Sequence, residues 1–103
     1  MLDYLALYRR FTAIAAHNQW QSLHSPRNLA QAVMLESAEL VAEMQWMTDE
    51  QSARLAPEQK ARVAAELADV MLYSIALSQS LGLDLGNVLA SKMEANERRY
   101  GPQ

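Results

Sequence analysis

The sequence predicts an all-α fold, and three observations carry that expectation. The 103 residues draw their apolar content mainly from Ala, Leu, Met and Val, with only three Gly and three Pro, a mixture of good helix formers. Helix start and stop signals recur along the chain. Strand-like alternation of apolar and polar residues is absent. Hydrophobic residues make up 50% and charged residues 20%, as in a folded globular domain, and the length fits one domain over residues 1–103.

The first helix is expected from about Asp3 to Gln21, where Leu2, Leu5, Tyr8 and Ile14 set a loose apolar stripe. Ser25 as N-cap with Pro26 at the first helical position opens a second helix to about Met47. Thr48-Asp49-Glu50-Gln51 has capping-box spacing, so a short helical turn follows. Pro57 opens the third long helix, which runs to Leu81 and stops at Gly82. Asp84 caps the fourth, with Leu83 and Val88 spaced as a hydrophobic staple, and Gly101-Pro102 ends it. Four long helices imply a four-helix bundle. A chain this short buries a limited core, so surplus apolar helix surface is expected to pack against a second copy.

Composition narrows the function. A net charge of −3 argues against a nucleic-acid polymer as partner, which demands clustered Lys and Arg. No apolar run is long enough for a membrane span, and Met1-Leu2-Asp3-Tyr4-Leu5 lacks the features of a secretory signal. The absence of Cys removes disulfides, thiolate metal sites and a thiol nucleophile. These features fit a cytoplasmic protein.

The chemistry concentrates in two acidic pairs, Glu36-x-x-Glu39 and Glu66-x-x-Asp69. Between Arg27 and Arg54 every charged residue is acidic, and between Arg62 and Lys92 the same holds. Helix surfaces ordinarily place a cation three or four residues from Glu, since like charges at that spacing destabilise. On a helical wheel, Glu36, Glu39 and Glu43 lie within about 60° of one another, directly beside the stripe of Leu29, Val33, Leu40, Met44 and Met47. Glu66, Asp69 and Tyr73 border Val63, Val70 and Leu77 in the same way. Packed side by side, the two helices would bring four carboxylates to one edge of a shared core. Carboxylate oxygens without cationic neighbours suit a hard divalent cation. On the last helix, Lys92, Asn96 and Arg99 share a face beside Leu85 and Leu89, offering donors to an anion.

The plainer alternatives are solvated acidic faces, a loop role for His24, and core or interface packing for Met34, Met44, Met47, Met71 and Met93. Periodicity favours burial for Trp20 and Trp46, with stacking on a base as the alternative.

The run His24-Ser25-Pro26-Arg27-Asn28-Leu29, then Glu36-Ser37-Ala38-Glu39-Leu40 and Glu43-Met44-Gln45-Trp46, resembles the MazG-type nucleotide pyrophosphohydrolases. Glu66-Leu67-Ala68-Asp69-Val70, Tyr73 and Lys92-x-x-x-Asn96-x-x-Arg99-Tyr100 continue the resemblance in order, from about Trp20 to Tyr100. The resemblance implies an all-α fold assembled as dimers or dimers of dimers, without a tandem second domain. It implies cleavage of nucleoside triphosphates between the α and β phosphates with Mg²⁺, or Mn²⁺ as substitute, in nucleotide-pool house-cleaning. Glu36, Glu39, Glu66 and Asp69 would hold the metal; Lys92 and Asn96 would contact phosphates, with Tyr73 assisting; His24, Asn28 and Trp46 would lie near base or sugar. Glu39 is the expected water-orienting base. A di-iron bundle would need Glu-x-x-His motifs, which neither His17 nor His24 completes. A non-catalytic helical interaction module, or a related dUTP or phosphoribosyl-ATP pyrophosphohydrolase, are the remaining alternatives.

Overall fold

A computed structural model describes residues 1–102, and the fold is all-α, with no strand among them. Five helices follow one another: α1 (Tyr4–His17), α2 (Pro26–Ala42), the single turn α3 (Asp49–Ser52), α4 (Pro57–Ser80) and α5 (Leu85–Tyr100), with a short 3-10 turn at Gln21–Leu23. The sequence predicts a four-helix bundle; the described residues form five helices, one of them the single turn at the capping box.

Local chemistry sets most boundaries. The Ser25 hydroxyl accepts the Asn28 N–H at 3.1 Å, opening α2 with Pro26 in its first turn. Thr48 and Gln51 form the reciprocal capping box at 3.1 and 3.0 Å. Asp84 accepts the Asn87 N–H at 3.0 Å and opens α5. Gly82, at φ 67°, lets the chain leave α4 in the left-handed region, where a side chain is disfavoured.

Two boundaries depart from expectation. Helix α1 stops at His17, four residues early, because Gln19 takes φ 59° and the Trp20 N–H reaches back to the Ala15 carbonyl at 2.8 Å. No glycine marks this left-handed stop, so nothing in the sequence announced it. Helix α2 stops at Ala42 instead of about Met47, since the next N–H groups bond three residues back and tighten the chain into turns.

The dominant contact joins α2 to α4; α1 lies against α4, and α5 makes only a slight contact with α4. The buried apolar residues are Ala15, Leu29, Ile75 and Ala76. The radius of gyration is 16.3 Å, against about 13 Å for a compact chain of this length. The accessible surface of 7985 Å² likewise exceeds the roughly 5,800 Å² of a compact monomer of this mass. Val88, Leu89 and Met93 on α5, Met34 and Val41 on α2, and Met71 on α4 remain exposed. The closed bundle that four long helices suggested is therefore not formed within one chain. None of the helices is long and apolar enough to cross a membrane.

A candidate carboxylate metal centre at the α2–α4 contact

An ion pair fixes the register of α2 against α4: Arg62 Nε donates to Glu43 Oε2 at 3.3 Å. The helices run antiparallel, so one turn along from this rung Glu39 faces Glu66, and Glu36 follows towards Asp69. Further on, Leu29 and Ala76 line the same cavity. Each helix places its acids at the margin of its apolar stripe, so the stripe that packs the helices also gathers the carboxylates.

Oxygens of Glu36, Glu39 and Glu66 lie within 4.8 Å of one another. Glu36 Oε2 and Glu66 Oε2 are buried without a hydrogen-bond partner among the described residues. An orphaned buried acceptor is costly, and here two of them point into one cluster. Burial is the main force holding the Glu36 carboxyl above its ordinary range; the close approach of the Glu39 carboxylate and the charges of Asp69 and Glu66 add to it. Glu66 is raised by burial first, then by the close approach of the Glu39 carboxylate and the charges of Asp69 and Glu43. Oxygens bound to one Mg²⁺ sit about 2.0–2.1 Å from it, so small side-chain rotations would bring this trio into range. The donor set, all oxygen, fits a hard divalent cation.

Of the four expected ligands, Asp69 stands apart. It is exposed and outside the close trio, although its charge acts on Glu36, Glu66 and Tyr73. Tyr73 is half-buried at the cluster's edge, its phenol raised by burial and then by Glu36 and Asp69. The ring of Phe11 meets Tyr73 edge-on at 5.5 Å and His24 at 5.2 Å. His24 is therefore packed into an aromatic row that reaches the acids. Phe11 escaped the sequence reading; its one signal was being the sole Phe, on the apolar side of α1. Beside this row lies a cavity of about 210 Å³ lined by residues including Tyr8, Phe11, His24, Leu29 and Ala76.

Asn28 is half-buried in the first turn of α2. Trp46, in the turns after α2, is 89% exposed and Trp20 is 45% exposed, so neither is the buried residue that periodicity favoured. Met34, Met71 and Met93 are exposed too, so none of them fills the core of the single chain. Lys92 is exposed on α5 beside Val88 and Ser91, and Asn96 is half-buried. The charges acting on Glu36 and Glu66 are all acidic, and Lys92 is not among them. The sequence also read the acids as lacking cations; across the helix contact Arg62 compensates Glu43, a pairing that neighbours along the chain do not reveal.

The described residues form an all-α protein with a cluster of carboxylates between two antiparallel helices. Residues 32–103 match the MazG-like family, and the chain belongs to it. It is 36% identical over 94 residues to dCTP pyrophosphatase 1 of Bos taurus, a match covering 89% of this chain and 56% of that protein. The Homo sapiens dCTP pyrophosphatase 1 is 37% identical over 94 residues, covering 89% and 55%. The chain thus spans just over half the length of these relatives. A pyrophosphatase crystal structure from Archaeoglobus fulgidus superposes with a TM-score of 0.82 at 30% identity, covering 95% of this chain and 89% of that one.

Proposed function

We propose that this chain hydrolyses nucleoside triphosphates between the α and β phosphates, giving a nucleoside monophosphate and pyrophosphate. The observation that carries the reading is the trio of Glu36, Glu39 and Glu66, two of whose buried oxygens accept no hydrogen bond from the described residues. Similarity to two dCTP pyrophosphatases and a pyrophosphatase makes dCTP the first candidate substrate. Glu36, Glu39, Glu66 and Asp69 would hold Mg²⁺, or Mn²⁺ in its place. The metal supplies neutralisation of phosphate charge and activation of water when bound. Glu39, whose carboxylate lies within 4.8 Å of both raised carboxyls, is suited to hold and pass the proton of the attacking water. His24 and Asn28 serve base and sugar, with Tyr73 between base and acids; Trp46, beyond Glu43 at the opposite end of α2, reaches the base from a neighbouring copy.

Lys92 and Asn96 reach the phosphates in this reading from a neighbouring copy, which the large accessible surface and exposed apolar residues of α5 support. The functional unit is then a homo-oligomer, dimer or tetramer, and light scattering that returns the mass of a monomer would refute it. The role is cytoplasmic house-cleaning of the nucleotide pool. Pyrophosphate release from a panel of dCTP, the other nucleoside triphosphates, dUTP and phosphoribosyl-ATP, with and without Mg²⁺, tests the reading. Release from no member rejects it and leaves a helical interaction module.

A further inference from the structure

The Glu43–Arg62 pair gives the acidic face a direction. Glu43 has a side chain 26% exposed and engages Arg62 only through Nε, at 3.3 Å. Among the described residues the two Nη groups of Arg62 have no partner, and its side chain is 58% exposed. A guanidinium tethered through Nε presents its Nη groups as a fork, the geometry that binds phosphate oxygens in pairs. Arg62 lies on α4 one turn from Glu66, about 5.4 Å along the axis, and the charge of its partner Glu43 is felt by Glu66 itself.

At the other end of the acids stand Tyr73, Phe11 and His24. The carboxylates thus lie between an aromatic end and a cationic end. Cleavage of an α–β anhydride parts a nucleoside monophosphate from pyrophosphate, so a substrate laid along this contact would leave one product at each end.

We infer that Arg62, held in place by Glu43, binds the β and γ phosphates, so that the nucleoside points toward Tyr73 and the pyrophosphate portion toward the start of α4. The inference rests on the triphosphate-hydrolase reading above. It places a phosphate-binding cation in the same chain as the acids, on a helix other than the one that carries Lys92.

Direct binding of the two products tests it. Calorimetry with magnesium pyrophosphate and, separately, with deoxycytidine monophosphate is run on the intact chain and on Arg62→Gln. Because that change orphans Glu43, the double variant Arg62→Gln/Glu43→Gln, which preserves net charge, is measured in parallel. Both should lose pyrophosphate affinity by about tenfold, as for one charge-assisted hydrogen bond, while monophosphate binding stays within about twofold. Unchanged pyrophosphate affinity in the double variant overturns the inference, as does an equal loss for both products. Failure of the parent chain to bind either product rejects the underlying functional reading instead. Mn²⁺ affinity, read by electron paramagnetic resonance, should be unaltered in the double variant; a loss there would make Arg62 a support for the metal centre and contradict a phosphate role.

Discussion

The two ends of the α2–α4 contact use the same pair of helices for opposite purposes. At one end Leu29, Ile75 and Ala76, with Ala15 from α1, are almost fully buried and make up the apolar core. At the other, Glu36, Glu39 and Glu66 crowd their carboxylates together with two oxygens unpartnered. The first end gains from removing apolar surface from water; the second sets like charges against one another in a half-buried place. A helix pair optimised only for stability would continue the apolar seam. The acids mark where this one departs from that rule, and such departures concentrate at functional sites.

Glu39→Gln bears hardest on the acid end. It preserves shape and removes one charge, so kcat should fall by about 10²–10⁴-fold, the range for loss of a general base, with helicity by circular dichroism unchanged. Activity near the parent level would remove Glu39 from the chemistry. At the dry end, Leu29→Ala should cost about 2–5 kcal/mol in chemical denaturation, as for a buried Leu. A small loss there would mean that the core lies elsewhere.

The residues assigned to the base, His24 at the aromatic end and Trp46 from a neighbouring copy, should govern which base is chosen. Trp46→Ala and His24→Ala are expected to reorder kcat/KM among four deoxynucleotides, since stacking is worth about 1–3 kcal/mol per base in single-strand binders. Lys92→Ala should weaken all four by a similar factor, because every nucleotide shares its phosphates. Reordering by Lys92→Ala alone would invert this division.

The smallest effect is a pH dependence of the metal-free protein. Glu36 and Glu66 are held above 4.5 in the folded chain, so the folded state keeps protons that the unfolded state has released. The stability these two carboxyls contribute is therefore greatest below the ordinary carboxylate range and falls as pH rises through the raised values. Melting temperature should decline over that window, and Glu36→Gln should flatten the decline while raising the melting temperature at neutral pH by relief of repulsion. A metal-free melting temperature that climbs across the same window would contradict the burial and repulsion described at the acids.

Much of this was legible in the sequence because it is local. Ser25-Pro26, Thr48 with Gln51, Pro57, Gly82 and Asp84 each act within a few residues, and their caps form as expected. The placement of acids beside the apolar stripes was legible too, since helical periodicity alone dictates it. What depends on contact between distant segments was not. The Glu43–Arg62 pair spans 19 residues, and the row from His24 through Phe11 to Tyr73 joins α1, the loop before α2 and α4. The early stop of α1 at Gln19 uses a residue type with no special preference for the left-handed region. Asp69 matched its motif yet stands outside the close trio, because spacing sets a face and not the direction of a carboxyl group.

The central claim is that the acid end of this helix pair is a divalent-cation site. Equilibrium titration of the metal-free chain with Mn²⁺ addresses it directly, beside the double variant Glu36→Gln/Glu66→Gln, which should remain folded by circular dichroism. The parent should bind saturably, and the variant should lose affinity by at least the roughly 10–100-fold that loss of a mere supporting group costs a metal site. Equal binding by the folded variant and the parent, or no saturable binding by the parent, would contradict it.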